Sequence, residues 1–251
     1  GYKRNKMQQP YKPIHHSTIK PGIAQTFLLA LIFLGILGGC GVTSRIEPYK
    51  QSDVVIGEGE SVVVLARKHH STHEAEQRIV DCISDGLASG SDGLSVHNNI
   101  EFEDKLYPWF EPSMAPVTTV ELSELLEQEN VLNQVLDTGV RFVIWLDGST
   151  SRIASGGGIS CAAGVGGAGC LGLGWWEDDS IYDATVWDLS DLSSAGTIYA
   201  DVNGRSVMPA LIIPIPLIAR PQLAACRGIT QQLRQFLMTS EYGNGPNTGL
   251  E

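Results

Sequence analysis

SVVVLA, residues 61–66, and VRFVIWL, residues 140–146, are the two stretches on which the fold turns. In each, β-branched and aromatic residues follow one another without the polar alternation of a half-exposed strand, as in a strand covered on both sides. Two segments with helical spacing lie between them. In the first, from about Thr72 to Leu87, Ala75, Ile79, Cys82 or Ile83, and Leu87 fall on one stripe. Ser71-Thr72-His73-Glu74 reads as its capping box, and Gly86, or the Gly90 and Gly93 region, ends it. In the second, Thr118-Thr119-Val120-Glu121 opens a helix with Leu122, Leu125, Leu126, Leu132, Val135 and Leu136 on its apolar face. Asn130 is a point of interruption, and Gly139 suits the left-handed position that closes the helix.

Leu94–Ile100 reads as a short strand and FEDKLYPWF (102–110) as a compact amphipathic segment, and Pro108, Pro112 and Pro116 keep the chain irregular. Beyond Leu146, Ser149–Gly174 reads as a long glycine-rich loop, since nine of the nineteen residues from Gly156 to Gly174 are glycine. Ile181–Leu189 and Thr197–Val202 read as strands, with Asn203-Gly204 as a hairpin turn. Val207–Ala219 is apolar but broken by Pro214 and Pro216, which leaves an edge strand or an extended groove-lining segment. Pro221 starts a last helix, 221–238, with Leu223, Cys226, Ile229 or Thr230, Leu233 and Leu237 inward and Gly228 as a weak point. The order predicts an α/β fold: a two-layer mixed sheet with about three helices and a long Gly-rich loop, over a single domain at 61–240. Residues 241–251 read as a disordered tail.

The amino-terminal forty residues have a different character. TFLLALIFLGIL (26–37) is uncharged, and five basic residues and no acidic one precede it: Lys3, Arg4, Lys6, Lys12 and Lys20. A basic region followed by a short apolar one describes an export signal, here 1–39. As a helix, twelve residues would rise only about 18 Å, short of what a bilayer core needs. Residues 1–6 precede the first methionine, Met7, and are expected to be extraneous. Leu37-Gly38-Gly39-Cys40 resembles the lipobox of bacterial envelope lipoproteins. That resemblance implies cleavage before Cys40, diacylation of its sulfur, acylation (palmitate) of the new amino terminus, and attachment to the membrane by lipid. Gly41 in place of Asp implies, by the same likeness, the outer membrane, with the domain facing the periplasm. Residues 40–60 then read as a lipidated tether.

Removal of the signal takes five positive charges from a chain with 17 basic and 28 acidic residues and leaves a net charge of −16 in place of −11. A surface of that sign repels polyanions, so nucleic acid is not an expected partner. With Cys40 assigned to lipid, four cysteines remain. Cys161 and Cys170 are the natural local disulfide, and Cys82 and Cys226 either pair or stay free.

Candidate chemistry is sparse. His69, His70 and His73 are the densest ligand-like group and could hold zinc or copper, although no HExxH motif is present; otherwise no cofactor is expected. Gly164-x-Gly166-x-x-Gly169 matches a dinucleotide fingerprint in letters only, since no strand leads directly into it and no helix follows. Glu177, Asp178, Asp179 and Asp183 could form a calcium-friendly patch, but lack EF-hand spacing. No G-x-S-x-G elbow occurs, and Ser95-x-His97 offers no triad. Trp175 and Trp176, adjacent at a strand entrance, must point in different directions.

The element order resembles the periplasmic α/β domain of the curli-secretion lipoprotein and the amino-terminal domain of the Tol-system β-propeller protein, which implies a role as an oligomeric pore or a partner-docking module. YPWFEP (107–112) and IPIPLIAR (213–220) are similar to segments of uncharacterised proteobacterial envelope lipoproteins, which implies no function. The expectation is a non-catalytic envelope component that docks a partner protein or assembles with itself. Tyr107, Trp109, Phe110, Trp175, Trp176, Ile213 and Ile215 are the candidate contact residues. The alternative is a metal-binding protein or metal-dependent enzyme built on the three histidines.

Overall fold

The β-branched runs of the sequence are the centre of one mixed sheet in a computed structural model, which describes residues 41–67, 77–111 and 114–239. The expected export signal with Cys40, the histidines at 69, 70 and 73 with the expected capping box, Pro112, and the expected tail from 241 lie outside the described residues. All described residues belong to one compact unit, Cys40–Glu251.

The strands are β1 (Gly41–Lys50), β2 (Ser61–Ala66), β3 (Val96–His97), β4 (Val140–Gly164), β5 (Gly167–Asp188) and β6 (Ser193–Pro214). The helices are α1 (Gln77–Ala88), α2 (Asn99–Lys105), α3 (Thr119–Leu126), α4 (Glu129–Leu136) and α5 (Pro221–Met238). The sheet runs β1-β6-β5-β4-β2-β3. β2 is parallel to β3 and β4, while β4, β5, β6 and β1 are successively antiparallel. The mixed α/β class therefore holds.

Alternate residues of β2 enter opposite cores, because side chains alternate across a strand. Val62 and Val64 join Phe142, Ile144, Tyr182 and Val186 under α1 and α5. Val63 and Leu65 join Val143, Trp145 and Trp187 under α2, α3 and α4. Helices cover both faces, so three layers replace the expected two, and five helices among the described residues replace about three. The additional helices are short. Asn98 caps α2 by accepting from the Ile100 and Glu101 amides, where the sequence suggested a strand continuing to Ile100. The chain breaks between α3 and α4 at Glu127 and Gln128 rather than at Asn130. Thr118 caps α3 as expected, its Oγ1 accepting from the Glu121 amide at 3.2 Å, and Gly139 closes α4 with φ of +72°.

Three expectations fail because polar or glycine-rich sequence does not exclude a strand that has neighbours to pair with. Residues 41–50 of the expected tether are the edge strand β1, paired with β6 from Gly41↔Arg205 to Lys50↔Gly196. Ile46 lies against Gly228 of α5, where any Cβ would collide with its Cδ1, so the weak point in that helix is a point of close approach. Asn203-Gly204 does not turn; β6 runs through it between β1 and β5. The glycine-rich stretch 149–174 is no loop but the continuation of β4 and β5, in register up to Gly164↔Gly167.

Candidate functional site

β2 pairs with β4 only as far as Leu146. Beyond it β4, β5 and β6 run on as a three-stranded arm. The pairing of β4 with β5 continues through a bulge at Arg152/Ala154 to a turn at Val165 and Gly166. β6 accompanies β5 as far as Cys170↔Ile212. Cys161 and Cys170 are directly opposite one another and disulfide-bonded, the local bridge the sequence suggested. The second bridge also forms, joining Cys82 of α1 to Cys226 of α5.

Glycine gives the arm its shape at one telling place. A Cβ on Gly156 would stand 3.0 Å from the Trp175 ring, so the indole lies flat over bare backbone. Trp175 and Trp176 project from opposite faces of the arm, as adjacent strand residues must. Each is half-buried under an arginine that also forms an ion pair. Arg205 lies 5.8 Å from the Trp175 ring centroid and donates through Nε to Glu177 at 2.6 Å. Arg152 lies 5.4 Å from the Trp176 ring and donates through Nε to Asp178 at 2.9 Å. This belt of two tryptophans and two ion pairs encircles the arm's base. Beyond it, no residue from Ile153 to Trp176, nor from Ser206 to Ala219, carries a charge. Leu171, Leu173, Leu211, Ile212, Ile213, Ile215 and the tip residue Val165 are all exposed.

The outer side of β6 is guarded. Val207 and Leu217 exchange backbone hydrogen bonds of 3.0 and 2.8 Å, and Ile215 donates to the Pro209 carbonyl, so the chain folds back along the strand. This is the proline-bearing edge strand that the sequence allowed. The outer side of β4 beyond Leu146 has no strand beside it among the described residues. A cavity of about 370 Å³ opens at the base, lined by Gly41, Val42, Ile218 and Leu223, with Arg220 and Arg227 at its wall.

The expected contact residues divide. Ile213 and Ile215 are exposed, as a contact role requires, and Tyr107 is exposed. Trp109 is half-buried against the second core. Phe110 is a correction: it is fully buried, stacked on Trp145 at 6.5 Å and edge-on to Phe102 at 5.3 Å, because the turn that follows α2 carries it into the second core. The acidic patch is dispersed. Glu177 and Asp178 are ion-paired, and the Asp179 and Asp183 carboxyls are raised by burial and then by Asp201 and Asp147 respectively. Among the described residues no three His, Cys, Asp or Glu side chains gather as a metal site requires.

Two polar features escaped sequence reasoning. Arg141 donates to Glu60 at 2.7 Å and to Asp188 at 3.0 Å, and to the Val55 carbonyl, pinning the start of β4 to the end of β5. Bonding to Asp188 holds the guanidinium well above its ordinary range. Burial alone would raise the Asp188 carboxyl, but bonds from Arg141 and Ser190 overcome this and hold it low. Arg67, following β2, lies between Trp145 and Trp187 at 5.3 and 5.4 Å, and burial lowers its guanidinium. Each arginine is an isolated charge at one end of an apolar run and adds no periodic signal, so neither stood out.

Several solved structures show a likeness to the chain, two of them forms of one assembly. The PelC dodecamer from Paraburkholderia phytofirmans matches with a TM-score of 0.36 and 12% identity, over 78% of this chain and 99% of that one. A single-substitution variant of that dodecamer matches with a TM-score of 0.34 and 13% identity, over 79% of this chain and 100% of that one. Scores at that level carry no functional inference. No family model matches the chain, and no curated protein matches its sequence.

Proposed function

We propose that this chain is a non-catalytic component of a bacterial envelope, anchored by lipid on Cys40 at the periplasmic face of the outer membrane, which assembles with copies of itself through its arm. The observation that carries the reading is the free edge of β4. From Gly148 to Gly164 that strand presents its outer backbone groups with no neighbouring strand among the described residues, no proline, no lysine, and Arg152 as its one charge. Monomeric proteins blunt such edges with charge, proline, bulges or brevity. This edge has one bulge and none of the other protections along its outer two-thirds, whereas the β6 edge is both proline-bearing and covered. Strand addition by another copy satisfies the open groups. The lipobox resemblance supports the anchor.

Light scattering of the full chain in mild detergent tests the reading. The parent is expected to run as a multimer, and the exposed pair Ser155→Lys/Ser160→Lys, which places charge along the edge, as a monomer with an unchanged circular dichroism spectrum. A monomeric parent, or a multimer indifferent to the lysines, overturns it.

A further inference from the structure

We infer that the arm enters a lipid bilayer, with its belt of Trp175, Trp176, Arg152 and Arg205 at the headgroup level. Four observations converge on that occupant. The first is the charge map: every charged group on the three strands of the arm lies at or below the belt, and the stretches beyond it, Ile153–Trp176 and Ser206–Ala219, have none. An arm meant for water would carry charge on its faces and a polar tip. This one exposes leucine and isoleucine on its faces and Val165 at its tip.

The second is length. β5 runs ten residues from Gly167 to Trp176, and at about 3.3 Å per residue that is roughly 33 Å, what a tilted strand needs to reach across a hydrocarbon core. β6 from Ser206 to its end at Pro214 is of similar length. The third is the belt itself. Tryptophans gather where apolar surface meets water at a membrane, with an apolar tip on one side and a wet end on the other. Here each indole has the uncharged arm on one side and an ion pair on the other. The fourth is the place where the chain enters the sheet. Gly41 pairs with Arg205 of the belt, so residue 40, the expected lipid attachment point, is joined to the chain at the level where the arm begins. The cavity beside Gly41 adds Arg220 and Arg227, two cations at the same level, suited to phosphate-bearing headgroups.

Unpaired strand edges are not tolerated in hydrocarbon, so the free edge of β4 must pair on insertion. The inference therefore rests on the assembly reading: copies meet along their edges, and the apolar faces of the arm meet lipid.

The test uses the full chain reconstituted into vesicles of phosphatidylethanolamine and phosphatidylglycerol. An environment-sensitive dye is attached to Val165→Cys at the arm's tip or to Tyr49→Cys at the far end of β1, with the parent chain treated identically as the blank. In vesicles the tip dye is expected to shift to shorter wavelength, to be quenched by lipids labelled within the acyl chain, and to lose at least tenfold of its quenching by iodide. The Tyr49→Cys dye stays open to iodide, which separates insertion of the arm from anchorage of the chain. Leu173→Asp/Leu211→Asp is expected to return the tip dye to water while the multimer persists. A tip dye open to iodide in vesicle-bound multimer overturns the inference and leaves assembly standing. A tip dye equally protected without lipid also overturns it, since a second copy then covers the arm's faces. Monomer in the same samples overturns the assembly reading itself.

Discussion

At the scale of the residue, Arg141 shows how a single side chain can bind together parts of the chain that sequence reasoning treats separately. It joins Glu60, just before β2, to Asp188, at the end of β5. The Asp188 side chain is 2% exposed, so removing its partner would leave a charge stranded in a poor solvent. Asp188→Asn keeps the shape and leaves Arg141 short of one counter-ion. The expected loss is about 3 kcal/mol of stability, near the lower bound for a broken buried pair because Glu60 remains. Urea denaturation of the variant measures it. The pH dependence has a definite sign. The folded Asp188 carboxyl lies below its unfolded value, so its contribution is fully present above the ordinary carboxylate range and is lost as pH falls through the folded value. Parent stability should therefore fall on acidification below about pH 4, and the Asp188→Asn variant should show a shallower slope there.

At the scale of the element, the sequence reading was accurate where hydrophobic periodicity meets a packed partner. Both central strands, the helix 221–238 and the caps at Thr118 and Gly139 were legible, because their residues face a core and the pattern records it. β1 and the arm were not. β1 is an edge strand with most of its side chains in solvent, so its composition resembles a tether. The arm is built from glycine, alanine and serine, residues with weak strand preference individually, and its order comes from ladder bonds inherited from the central strands and from the Cys161–Cys170 bridge. What the sequence did hold was the absence of charge over Ile153–Trp176, a signal independent of secondary structure. Two outcomes follow at this scale. Gly156→Val places a side chain where the Trp175 ring lies, and should expose that indole, seen as a red shift and stronger iodide quenching, without altering the far-ultraviolet spectrum. Cys82→Ser/Cys226→Ser removes a bridge spanning 144 residues between α1 and α5, for which chain entropy sets a ceiling of roughly 5 kcal/mol. A thermal scan of that variant should show the transition lowered, and reductant should lower the parent in the same way.

At the scale of the whole molecule, the protein divides into a body that folds and an arm that reaches. No residue beyond the belt belongs to either buried cluster. The body's stability should therefore be independent of the arm, and structure provides natural points at which to remove it. Arg152 and Asp178 are directly paired, as are Val207 and Leu217, so each can be closed by a two-residue Asn-Gly turn in place of 153–177 and 208–216. The expected product unfolds in a single cooperative transition close to the parent midpoint, keeps the Cys82–Cys226 bridge, and runs as a monomer. If the shortened chain failed to fold, the arm would be part of the core after all; if it folded but still formed the multimer, assembly would have to lie on the body, and the free edge of β4 would lose its role.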